Sequence, residues 1–177
     1  YNKTKMVSER VILSYSNTVK SQIIRPATVC GLSPRMRLDV SVNLLTMAAL
    51  EKKIITVFGG EQVRPNIHID DITDVYLHFL DNPNLEGIYN AGFENLSIKT
   101  IAEIISRKLN VPIEYTSTND KRSYRVDSSK LLNTGYKQKY SVEDAIDQII
   151  FAYKNNTLKN SQMFYNLKWM VNNNLAQ

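Results

Sequence analysis

Ser21-Gln-Ile-Ile-Arg-Pro26 reads as a short buried strand, with apolar residues at its centre and a proline, which has no amide donor, closing it. Upstream, Val7, Val11, Ile12 and Tyr15 stand at helical spacing within residues 1–17, and the polar run from Ser14 to Lys20 breaks that pattern. Downstream, Gly31 to Pro34 is a loop, and helical spacing returns from Leu38 to Glu51 through Val42, Leu45 and Ala49. Ile54 to Phe58 is rich in β-branched residues and stops at Gly59-Gly60, a turn signal. Asn66 to Ile69 is a short strand, and Asp70 or Asp71 supplies an N-cap for a helix from Ile72 to Leu80. Gly87 to Asn90 is another strand, Ser97 opens a helix ending near Leu109, and Val111 to Tyr115 is extended, with Tyr124 to Val126 as a further candidate. Ser128 to Leu132 is a helical turn. Ser141-Val-Glu-Asp144 is a capping box for a helix reaching Tyr153, and the Asn-rich residues 155–177 are only weakly periodic, which predicts a short terminal helix or a frayed tail. Strands alternate with helices throughout, which predicts an α/β fold.

The 177 residues are 43% hydrophobic and 22% charged, proportions that exclude a wholly disordered or fibrous chain. No apolar run approaches the roughly 20 residues needed to span a bilayer, so no membrane partner is expected. A single cysteine, Cys30, excludes an intrachain disulfide. With only His68 and His78 beside it, no metal site is expected, and the cytoplasm is the expected compartment. The net charge of 22 − 17 = +5 suits a polyanion, a small phosphate-bearing ligand or no specific partner. Its basic residues are scattered and its ten tyrosines dispersed, so no nucleic-acid partner is expected.

Tyr1-Asn-Lys-Thr-Lys5 sets a phenol and an ammonium one helical turn apart on one face. A phenol with a pKa near 10 is a poor acid or base at neutral pH, and a neighbouring ammonium favours the phenolate. Such a pair can move a proton at a carbinol or carbonyl carbon. The same five residues also suit the solvated start of a helix, and the spacing alone does not choose.

The surrounding motifs do choose. A Tyr-x-x-x-Lys helix followed by Ile24-Arg-Pro-Ala-Thr-Val-Cys-Gly31 resembles the extended short-chain dehydrogenase/reductases, specifically the NAD-dependent epimerase/dehydratase family. Phe58-Gly-Gly-Glu-Gln-Val-Arg-Pro-Asn-Ile-His-Ile-Asp-Asp71 is similar to that family's G-x-G-x-Q-x-R-D-(F/Y)-I-H-V-x-D signature. Gly87-Ile-Tyr-Asn-Ala-Gly92, Tyr124-Arg-Val-Asp-Ser-Ser-Lys130 and Tyr140-Ser-Val-Glu143 resemble its later segments, in the family's order. The resemblance implies the C-terminal part of a Rossmann-type enzyme with a small substrate-binding domain, beginning after the Gly-rich dinucleotide turn and the catalytic Ser or Thr. Residues 1–31 and 66–92 would then belong to the Rossmann-like domain. Residues 32–65 and 93–155 would form the substrate domain, and 156–177 a C-terminal extension.

The resemblance also implies roles. Tyr1 and Lys5 are the catalytic pair, and with Pro26 and Thr28 they contact NAD or NADP. Thr28, Asn43, Val57, Phe58, Arg64 and Arg122 are the candidates for binding a nucleotide sugar, Arg64 through its phosphates. Thr28 stands where sugar-nucleotide enzymes often carry Asn, and Arg64-Pro65 replaces their Arg-Asp. The usual R-P-G-D loop reads Ser117-Thr-Asn-Asp-Lys-Arg122 here, which leaves its phosphate contact to Lys121 or Arg122. Arg64 also suits a plain surface position, and Val57 and Phe58 suit core packing. His68, Asp70, Asp71 and Asp127 are expected to be structural. A homodimer through the Tyr-x-x-x-Lys helix is implied, and substrate choice is expected to lie in Ser33 to Asp39. The expected reaction is epimerisation or dehydration, with 4-keto-sugar reduction or a non-catalytic NAD(P)-binding role as alternatives.

Overall fold

The computed structural model describes residues 2–120 and 122–175. Helix α1 (Asn2–Ser14) leads into strand β1 (Gln22–Pro26), which pairs in parallel with β5 (Gly87–Ala91) so that Ile24 faces Tyr89. No residue of α1 is buried, and the helix is tied to β1 where the Glu9 carboxylate accepts both Nε and Nη2 of Arg25. Strand β2 (Thr28–Cys30) runs parallel to β4 (Val63–His68), and β6 (Glu94–Ser97) closes the other side of β4 in antiparallel register. Strands β3 (Ile55–Phe58) and β7 (Ile113–Thr116) form a separate parallel pair. The architecture is mixed α/β, as expected.

Two apolar clusters sit beneath these sheets. Helices α2 (Ser41–Lys52), α4 (Ile98–Leu109) and α6 (Val142–Lys154) bury Val42, Met47, Ile101, Ile105, Ile146 and Ile149 against β3. Helix α3 (Ile69–Asp81) packs Val75 and Phe79 on Tyr89 and Ala91 of β5, with Leu131 of α5 (Ser129–Leu132) completing the second cluster. The α4 start falls where expected, with the Ser97 hydroxyl accepting the Thr100 amide. The Ser141 capping box has both of its reciprocal bonds.

Three expectations need correction. The cap of α3 is His68, whose Nδ1 accepts the Asp70 amide at 3.1 Å, so the helix starts three residues early and Asp70 and Asp71 fall in its first turn. Strand β4 starts at Val63 and includes Pro65, which is tolerated because β2 pairs only with residues 66–68 and leaves β4 an edge strand there. Tyr124 to Val126 forms no regular strand; only the Tyr124 amide reaches β4, donating to the Val63 carbonyl. Of the two expectations for the C-terminal end, the short helix is the one found, as α7 (Asn166–Asn172) after a 3-10 turn (Gln162–Phe164). Among the described residues, no helix is long and apolar enough to cross a membrane.

Candidate functional site

The end of β3 builds the site. Gly59 and Gly60 both take positive φ, and a Cβ on Gly59 would stand 2.5 Å from Thr118 Cγ2, so only glycine fits that turn against the 117–123 loop. Gln62 locks the turn: its amide donates to the Phe58 carbonyl at 2.7 Å and accepts from the Gly60 amide at 2.6 Å. The turn, α2, β4 and the 117–123 loop enclose a cleft of about 450 Å³. Leu45, Ala48, Ile54 and Ile98 give it an apolar floor, while Arg64, Asp120 and Arg122 stand at its rim.

Four of the sequence-predicted residues meet in this cleft: Val57, Phe58, Arg64 and Arg122. They are not alike. Val57 is wholly buried in the first core cluster, so its side chain packs and only its backbone lies along the cleft. Phe58 is 59% exposed and offers a ring face. The Arg64 side chain is only 15% exposed, with Nη1 donating to the Val63 and Arg122 carbonyls and Nη2 to Asp120 at 3.1 Å. The Arg122 side chain is 80% exposed and grips Asp120 through Nε and Nη2, both at 2.8 Å. That fork holds the Asp120 carboxyl well below the usual carboxylate range, with Arg64 adding to it, so Asp120 is an anion at neutral pH.

The remaining candidates lie elsewhere. Lys5 and Pro26 line a second, shallower hollow of about 410 Å³ with Glu9 and Arg25. Thr28 sits half-buried on β2 opposite Asn66. Asn43 is 2% exposed and does not line the cleft; its amide accepts from the Gly31 amide at 3.0 Å and donates to the Arg37 carbonyl at 3.0 Å. It pins the loop that precedes α2. Tyr1 and Lys121 lie outside the described residues.

His68 and the aspartates behave structurally. His68 stacks on Tyr140 with ring centroids 4.7 Å apart, and its Nε2 bonds Gln148 at 3.1 Å. Asp127 accepts the Ser129 amide at 2.9 Å and so holds the turn that leads into α5. Sequence reasoning passed over Asp120, the one carboxylate at the cleft rim among the described residues. Its signal was present: an aspartate two residues before an arginine can fold back on both the amide and the guanidinium of that arginine, as it does here.

A mixed α/β fold with parallel β1–β5 and β2–β4 pairs, and a cleft with apolar floor and cationic rim, defines a Rossmann-like ligand-binding class. The family description "NAD dependent epimerase/dehydratase family" matches residues 1–92, more than half of the chain. The chain belongs to that family. It is 27% identical over 162 residues to a dihydroflavonol 4-reductase of Callistephus chinensis, a match covering 87% of this chain and 43% of that protein. The ADP-L-glycero-D-manno-heptose-6-epimerase of Helicobacter pylori shares the fold at a TM-score of 0.76 and 22% identity, over 87% of this chain and 51% of that one. The UDP-glucuronic acid 4-epimerase of Bacillus cereus, solved with UDP-4-deoxy-4-fluoro-glucuronic acid and NAD, matches at a TM-score of 0.71 and 26% identity, over 85% and 52%. The chain thus spans about half the length of the relatives it matches.

Proposed function

We propose that the chain supplies the acid–base pair and the substrate cleft of an NAD(P)-dependent enzyme acting on a nucleotide sugar, by epimerisation or dehydration. The observation that carries this reading is the cleft itself, where an exposed aromatic ring and an apolar floor lie beside two arginines. A planar base suits the Phe58 ring, and a diphosphate suits a guanidinium fork. In this reading Thr28 faces the sugar, and Asn43 acts on the substrate indirectly by holding the loop before α2. Residues 1–31 and 66–92 belong to the Rossmann-like domain in this reading, and six of the eight buried residues of the second core cluster come from 66–92, Leu131 and Tyr136 being the other two. A homodimer through α1 belongs to the same reading, supported by Val7, Val11 and Tyr15 exposed on or beside that helix.

Lys5 and Pro26 would hold the nicotinamide dinucleotide, and their shared open hollow fits a ribose beside an ammonium donor. Tyr1 and Thr28 are the other contacts. Bound there, the cofactor supplies a hydride acceptor and donor. Tyr1 takes the proton of a sugar hydroxyl and returns it, and Lys5 favours the phenolate electrostatically. Arg122 holds the phosphates, with Arg64 behind it holding the loop and adding positive charge, so that binding energy remote from the reacting carbon positions it.

Reduction of a ring ketone is the second reading, favoured by the reductase relative and by the apolar cleft floor. Titration calorimetry of the full-length protein with UDP, ADP, GDP and dTDP separates the two. At least one diphosphate is expected to bind, and Ala48→Trp, which fills the cleft, is expected to abolish that binding without lowering the melting temperature by more than a few degrees. Failure of all four diphosphates to bind would sink the nucleotide-sugar reading in favour of the second.

A further inference from the structure

Four charged side chains line the cleft, Lys52 on α2 and the group Arg64, Asp120 and Arg122, and the three of that group are not equivalent. Arg64 is mostly covered, and its Nη1 and Nη2 donate to the protein: two carbonyls and the Asp120 carboxylate. It holds the 117–123 loop in place, with the Ser123 hydroxyl accepting the Val63 amide at 3.1 Å as a second tie. Asp120 hands that anchorage on. Its Oδ1 accepts the Arg122 amide at 3.0 Å and Nε at 2.8 Å, and its Oδ2 takes Nη2 of Arg122 and Nη2 of Arg64. Arg122 is therefore gripped along its Nε/Nη2 edge, which leaves the Nη1 end of the guanidinium without a protein partner among the described residues.

We infer that Asp120 is a positioning residue for anion binding: it aims the free end of Arg122 over the cleft, with Arg64 as the anchor. This rests on the nucleotide-sugar reading above. Two effects of the carboxylate oppose each other. Its charge repels a phosphate, but across an exposed rim that costs only about 1.5- to 5-fold in affinity, and salt screens it. Releasing an arginine side chain to full rotamer freedom costs about 10- to 30-fold when a ligand must order it again. Aiming outweighs repulsion.

The experiment is a double-mutant cycle in the full-length protein, titrated with whichever of UDP, ADP, GDP and dTDP binds the wild type tightest. Asp120→Asn is expected to weaken binding at least 3-fold, and more at high salt, where the lost repulsion no longer compensates. Arg122→Lys keeps the charge but loses the fork, and it is expected to weaken binding similarly. In an Arg122→Ala background at high salt, where the carboxylate's own repulsion is screened, Asp120→Asn is expected to change affinity less than about 2-fold, because the residue it acts through is gone. Equal or tighter binding by Asp120→Asn overturns the inference while leaving the nucleotide-sugar reading intact. So does wild-type affinity in Arg122→Lys, or an undiminished Asp120→Asn effect without Arg122, which would make the carboxylate a ligand contact in its own right. If no diphosphate binds the wild type, both readings fall together.

Discussion

Asp71, buried on the inner face of α3, accepts the Tyr136 hydroxyl at 2.7 Å, the Lys139 amide at 2.9 Å and the Tyr140 amide at 3.0 Å. Removing it leaves the two part-buried amides without that acceptor and the buried Tyr136 hydroxyl with only the longer bond to the residue 71 carbonyl. Asp71→Ala is therefore expected to lower unfolding stability by about 3 kcal/mol or more, read from the urea midpoint at constant m. Cys30 lies at the other end of the same region, and burial pushes its thiol up from 9.0 to about 12, with the charge of Glu94 adding to the shift. The unfolded chain loses that proton first. The stability this group contributes is whole below about pH 9 and is lost as pH rises toward the folded value, by up to about 1.4 kcal/mol per unit. The stability gap between wild type and Cys30→Ala is thus expected to narrow between about pH 9 and about pH 11 in urea titrations. A constant gap contradicts the burial argument. Cleft positions were readable where a motif named them, as for Arg64 and Phe58. The roles of Asp71, Asp120 and Asn43 were not, because each acts on backbone groups brought near it only by folding.

Elements with a local start signal were the legible ones. The Ser97 and Ser141 caps each sit one residue before the helix they open, since a hydroxyl over a free first-turn amide works whatever the tertiary context. Ser141→Ala is expected to cost about 1 kcal/mol, checked by thermal or urea melting. Strands β2 and β6 were missed for the opposite reason: at three and four residues they exist through β4 between them, and Glu94-Asn-Leu-Ser97 has no strand pattern of its own. The C-terminal end was only half legible, as a short helix or a frayed tail, because long-range contacts set it. The Phe164 carbonyl accepts the Leu38 amide at 2.9 Å, Asp39 accepts the Asn166 amide at 3.1 Å, and Phe164 and Tyr165 pack on the first core cluster. Deleting residues 162–177 is expected to speed hydrogen exchange at Leu38 at least 10-fold, while Ile101 and Ile146 in the core keep their protection. Unchanged exchange at Leu38 would show that the tail does not hold the loop.

At the scale of the whole molecule, the β1–β5 and β3–β7 sheets are parallel pairs of two strands, an arrangement that gains stability mainly from what packs on it. The first pair places Pro26 beside Lys5, and the second ends in the turn that shapes the cleft. Proton transfer and anion binding are in this way assigned to separate parts of one chain, and a single pair of variants can separate them. The most direct measurement is turnover of the nucleotide sugar by full-length Tyr1→Phe, with its affinity measured alongside. Loss of the acid–base group is expected to lower the rate by a factor on the order of 10²–10⁴ while leaving affinity nearly unchanged. Turnover close to that of the wild type would contradict the proposed chemistry, even with the cleft and its arginines assigned correctly.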